Sequence, residues 1–68
     1  VKGLAPDVLR VGKKYRLVNY GEVNEFEVIA IQHDGDLYVK DIHSLERYFL
    51  SELLRYGKGH DFEIRELD

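Results

Sequence analysis

Apolar and polar residues alternate along three consecutive stretches of this chain, and glycine turns separate them. Tyr15 and Leu17 interleave with Lys14 and Arg16, Phe26 and Val28 with Glu25 and Glu27, and Leu37 and Val39 with Tyr38 and Lys40. Period-two patterning broken at Tyr20-Gly21 and Asp34-Gly35 predicts three antiparallel strands joined as two hairpins. With Tyr20-Gly21 as a two-residue turn, Asn19 faces Glu22, Leu17 faces Asn24 and Tyr15 faces Phe26. On the other face Lys14 meets Glu27 and Arg16 meets Glu25. Both charge pairs are opposite in sign, and each such cross-strand pair contributes roughly 0.2–1 kcal/mol. A slip of one residue would carry the whole apolar set to the wrong face.

Asp34-Gly35 is a favoured type I′ pair, and centring the second turn there sets Ala30 against Val39 and Gln32 against Leu37. Phe26, Val28, Ala30, Leu37 and Val39 then share the core face, while Ile31 meets Tyr38 beside Ile29 and Lys40. Burial of Ile29, Ile31 and Tyr38 is also expected, because the middle strand of a small barrel bends to serve two sheets.

Residues 44–57 admit two readings. Ser44 and Gly57 are placed to cap one helix. Leu45, Tyr48, Phe49, Leu53 and Tyr56 lie near helical spacing, but Leu50 and Leu54 fall off that stripe. The apolar arc is then wider than a surface helix presents. The preferred reading splits the segment into a fourth strand at 46–50 and one helical turn at about residues 51–55. Residues 61–67 form a last strand, with Phe62, Ile64 and Glu66 alternating against Glu63, Arg65 and Leu67. The fold class is mainly β: a small five-stranded barrel at residues 9–68, preceded by a lead-in at residues 1–8. Pro6 forbids a regular strand interior in that lead-in, whose Leu4 and Val8, with Leu9, are placed to cover an open end.

This order of three meandering strands, a fourth, a helical turn and a short last strand resembles the Src-homology-3-like and Tudor-like small barrels. The chain is also similar to small uncharacterised bacterial proteins. The motifs that carry this second resemblance are Gly12-Lys13-Lys14-Tyr15, Asn19-Tyr20-Gly21-Glu22, Lys40-Asp41-Ile42-His43-Ser44-Leu45-Glu46 and Gly57-Lys58-Gly59-His60-Asp61-Phe62. The resemblance implies a fold and no particular activity.

Sixty-eight residues make one domain, and one so small buries a modest share of its surface. Without Cys, Trp or Met, five Tyr and three Phe must supply much of the core's bulk. The lack of Cys fits a reducing compartment, and no apolar run approaches bilayer length, so a cytoplasmic protein without leader or membrane segment is expected. A net charge of -3 argues against non-specific attraction to nucleic acid or anionic lipid.

Tyr20, Tyr38 and Tyr56 are expected near loop ends, as apolar anchors for a partner or, with an acid alongside, as a cage for a cation. Against this, a small domain needs most of its rings in the core. Arg10, Lys13, Lys14 and Arg16, with Arg55 and Lys58 in reach, form a candidate basic strip for single-stranded nucleic acid. The acidic balance and the pairing of Lys14 and Arg16 with glutamates instead suggest a solvated, salt-bridged face.

His43 lies two places after Asp41 and three before Glu46, and an Asp–His pair can set a tautomer and support acid–base work. No nucleophile accompanies it, and Asp41 to Ser44 offers side chains that bond their own backbone in a turn. His33-Asp34-Gly35-Asp36 lacks the further ligands of a calcium loop, and the three histidines fit no zinc template, so neither metal nor cofactor is expected. Gly57-Lys58-Gly59 reads as a turn rather than an anion nest. Ser44 and Ser51 read as cap or turn residues. The expected role is a non-catalytic binding module, holding a protein partner at a strand edge or in an aromatic groove. Self-association through an edge and nucleic-acid binding through residues 10–16 are the alternatives.

Overall fold

The computed structural model describes residues 8–67. The chain forms β1 (Lys14–Asn19), β2 (Glu22–Ile31), β3 (Leu37–Asp41), β4 (Arg47–Phe49), a single helical turn α1 (Leu50–Leu53) and β5 (Glu63–Leu67). All pairings are antiparallel, and the strands lie in the order β4-β3-β2-β1-β5. The sheet is not closed, since among the described residues β4 pairs only with β3 and β5 only with β1. The lead-in, including Leu4 and Pro6, lies outside the described residues apart from Val8.

The first hairpin has the register that alternation and charge predict. Lys14 faces Glu27, Tyr15 faces Phe26, Arg16 faces Glu25 and Asn19 faces Glu22. Tyr20 (φ 53°) and Gly21 (φ 77°) are both left-handed, as a type I′ turn requires. The Tyr15 and Phe26 rings lie 6.2 Å apart and are both buried.

The second hairpin corrects the expected register. Leu37 faces Ile31 rather than Gln32, and Val39 faces Val28 rather than Ala30. The register shifts between Val28 and Ala30, which leaves Ile29 without a Cα partner. A bulge of this kind bends its strand and adds local twist. The loop is longer than two residues, closed by Gln32 N–H donating to Asp36 O (2.7 Å) and Gly35 N–H to Gln32 O (2.9 Å). The shift changes the burial too. Val28, Leu37 and Val39 are buried, Ala30, Ile29 and Tyr38 are half-buried, and Ile31 is exposed at the strand's end.

The 44–57 segment splits into a short strand and a helical turn, but the bounds differ from the expected 46–50 and 51–55: the strand ends at Phe49, and Leu50 opens α1, which ends at Leu53. The first turn of α1 is held from outside: Asp36, in the β2–β3 loop, accepts from Ser51 Oγ (2.8 Å) and Ser51 N–H (3.3 Å). Leu50 enters the core beside Leu9, Tyr15, Leu17, Phe26, Val28, Leu37, Val39 and Ile64. That core lies on one face of the bent sheet, with Tyr48, Leu53, Leu54 and Phe62 packed at its margin.

Candidate functional site

Asn19 shares strand parity with Tyr15 and Leu17, so it points to the core side, and it is the buried polar residue among those described. Both ends of its amide are bonded to backbone. Nδ2 donates to Gly57 O (3.0 Å), and Oδ1 accepts from Gly59 N–H (2.7 Å). The next turn residues are held as well: Asp61 Oδ1 accepts from Tyr20 N–H (2.8 Å) and Oδ2 from Gly21 N–H (2.7 Å). The Tyr20 hydroxyl donates to Tyr56 O (2.9 Å). The β1–β2 turn and the 56–61 loop therefore form one clasp across some forty residues of sequence. Gly59 is required where the loop crosses Tyr20, because a Cβ there would lie 2.9 Å from Tyr20 Cδ1. The N–H groups of Gly21 and Tyr20 hold the Asp61 carboxyl below its ordinary value, against a smaller opposing effect of desolvation.

The clasp sets one wall of a groove of about 520 Å³. Tyr20 and Tyr56 line it, 58% and 81% exposed, together with the buried Leu17, the half-buried Leu53 and the exposed Glu22 and Glu52. Arg55 also lines it, its guanidinium 5.5 Å from the Tyr56 ring centroid. The lining combines aromatic surface, two carboxylates, one guanidinium and the polar Asn24.

The three candidate tyrosines do not converge. Tyr20 and Tyr56 share the groove, but Tyr38 lies on the face of β3 opposite Leu37 and Val39, its ring 5.2 Å from Phe49. Arg10, Lys13, Lys14 and Arg16 are all exposed, and most of them have an acidic neighbour. Arg16 Nε donates to Glu25 Oε2 (2.8 Å), and Lys13 Nζ lies 3.8 Å from Glu66 Oε2. Lys14 faces Glu27 across the hairpin. Arg10 is exposed, and its backbone N–H donates to the Tyr15 hydroxyl (2.9 Å). Lys58 is occupied over the Phe62 ring at 5.0 Å.

His43 does not pair with Asp41 through its ring. Asp41 Oδ1 instead accepts the backbone N–H groups of His43 (2.8 Å) and Ser44 (2.9 Å), a turn-forming arrangement. Those two bonds, Ser44's foremost, hold the Asp41 carboxyl low. The His43 ring reaches Glu25 instead, Nε2 to Oε1 at 2.6 Å, so Glu25 sits between His43 and Arg16 with its own carboxyl held low, His43 first among the causes. In the β2–β3 loop, Asp34 and Asp36 spend their oxygens on the N–H groups of Asp36, Leu37 and Ser51. Gly57 and Gly59 N–H groups are likewise used, by Leu54 O and by Asn19.

Sequence reasoning missed Asn19, Asp61, Glu22 and Glu52. Asn19 did carry a signal, a polar side chain on the apolar parity of β1, but nothing local named its partner. Among the described residues no group of three acidic, His or Cys side chains is placed to hold a metal, and no helix is long and apolar enough to cross a membrane. Comparison of the chain with family models, curated proteins and solved structures finds no match.

Proposed function

We propose that this chain is a non-catalytic binding module that holds a segment of a protein partner, in the cytoplasm, in the groove between Tyr20 and Tyr56. The observation that carries the reading is the pairing of two exposed tyrosines on one groove, one of them fixed by the clasp. Large exposed aromatics beside a concavity are the side chains that dominate binding energies, and a ring already held in place loses little entropy on binding. The groove carboxylates Glu22 and Glu52 favour a cationic side chain in the guest.

The groove is favoured over the strand edges. β4 is three residues long and passes directly into α1, and β5 carries Glu63, Arg65 and Glu66. Short and charged edges resist strand addition. The finer fold reading is a small barrel of the Src-homology-3-like or Tudor-like kind. Support for it comes from the chain order of the strands, the bulged β2 and the helical turn between β4 and β5.

Panning a random-peptide display library against the full chain tests the reading. Enriched peptides should lose at least about 30-fold in affinity on Tyr56→Ala, the loss typical of a hot spot, and nothing on Lys14→Glu. Absence of enrichment, or enrichment indifferent to Tyr56, refutes it. Binding of single-stranded RNA or DNA that weakens steeply with salt and on Lys14→Glu would replace it with the nucleic-acid reading.

A further inference from the structure

Residues 55–61 bury no apolar side chain. Gly59 is half-buried and the others are exposed. Leu54 before them and Phe62 after them pack at the margin of the core, and Ile64 lies within it. The segment is therefore a strap, held at both ends by apolar packing. Its middle meets the β1–β2 turn through polar contacts instead. Asn19 bonds Gly57 O and Gly59 N–H, the Tyr20 hydroxyl bonds Tyr56 O, and Asp61 accepts from Tyr20 and Gly21 N–H.

The two kinds of attachment come apart at different cost. Lifting the strap trades its hydrogen bonds for bonds to water, which returns most of what is lost. Pulling Ile64 or Phe62 from the core exposes apolar surface, which water does not compensate. Gly57 (φ 88°) supplies a hinge near the Leu54 end, since glycine changes backbone region at little steric cost. At the other end β5 stays paired with β1 from Glu63 onward.

Lifting would also dismantle the groove. Tyr56 rides on the strap, whereas Tyr20 belongs to the β1–β2 turn. The two rings line one groove with the strap down, its position fixed by the bond from the Tyr20 hydroxyl to Tyr56 O.

We infer that residues 55–61 form a gate, which lifts from the β1–β2 turn as one unit while the strands stay paired, and that the aromatic groove exists only with the gate down. A guest lying across Tyr20 and Tyr56 binds that state alone and so holds the gate shut. The gate stands without the groove reading, and its coupling to a guest rests on that reading.

Amide hydrogen exchange on the full chain tests both halves. Gly21 and Gly59 N–H, bonded across the gate to Asp61 and Asn19, should share one opening free energy. It should be lower than that of the buried Val28, whose N–H bonds Lys13 O. Low concentrations of urea should leave the two glycines nearly unchanged and steadily accelerate Val28, because the gate exposes little surface and unfolding exposes much. Tyr20→Phe keeps the ring and removes only the hydroxyl bond to Tyr56 O. It should speed both glycines by a common factor of about five, the worth of one hydrogen bond, although the hydroxyl bonds neither. Unequal responses of the two glycines, or exchange that follows Val28 through urea, overturns the gate. Peptides enriched by panning, supplied at about a hundred times their Kd, should slow both glycines about a hundred-fold. A peptide that binds without slowing them overturns the coupling and leaves the groove standing. Failure to enrich any peptide removes the groove reading and the coupling with it, and the two glycines still decide the gate.

Discussion

Two polar networks flank the first hairpin, and they hold the fold to very different degrees. At its turn, Asn19 and Asp61 bond backbone groups of a segment distant in sequence. On its outer face, Glu25 bonds the side chains of Arg16 and His43, which are 51% and 71% exposed. The contacts are of similar length, yet a flexible exposed side chain gives back much of an ion pair's gain as entropy and screening. A backbone N–H already fixed by a turn loses little more, and left unpaired it carries a penalty. Polar contacts secure this fold where they end on backbone, and ornament it where they end on solvated side chains.

The largest expected effect comes from cutting the clasp at its buried residue. Asn19→Ala leaves Gly57 O and Gly59 N–H without their partner and should lower stability by about 2–3 kcal/mol in urea unfolding. A loss under half that would erase the contrast. Gly59→Ala comes next. Its methyl group would press on the Tyr20 ring and Asp61 Oδ1, and overpacking of this kind should cost about 1–2 kcal/mol.

Acid sharpens the comparison further. Asp61 in the folded chain titrates below its ordinary 3.8, so its contribution is complete above that value and disappears as pH falls through the lower folded one. Asp61→Asn should therefore be less stable near neutrality and lose less of its remaining stability between about pH 5 and about pH 2 than the parent does. A variant with the parent's acid slope would show that the carboxylate does not anchor the turn. His43→Ala should have the smallest effect, within about 0.5 kcal/mol of the parent, because the pair it breaks is exposed. A larger loss would mean that the β3–β4 loop depends on Glu25.

The two hairpins also differ in how far they could be read. In the first, alternation, a Tyr-Gly turn and two complementary charge pairs all require one register, and each is local. In the second, Asp34-Gly35 suggests a two-residue turn, but the Asp36 carboxylate is drawn to Leu37 N–H and to Ser51 on α1. A contact fifteen residues away thus accompanies a longer loop, and the bulge at Ile29 takes up the difference. The candidate site divides in the same manner. Tyr20, Tyr38 and Tyr56 were legible as aromatics near loops, whereas the sharing of one groove by Tyr20 and Tyr56 without Tyr38, and its lining by Glu22 and Glu52, offered no local pattern.

Alternation, turn chemistry and ring content by themselves determined a mainly-β domain, five strands, the register of the first hairpin and most of the core, and they favoured a strand and a helical turn over one helix in residues 44–57. These follow from interactions within a few residues or across one tight turn, where spacing dictates geometry. Only the tertiary structure decided that the sheet stays open, that Asn19 and Asp61 close on the 56–61 loop, and that tyrosines and carboxylates line one groove. Those outcomes depend on which distant segment satisfies a buried polar group. Many pairings of a chain this short satisfy local rules equally well, and the packed whole selects among them.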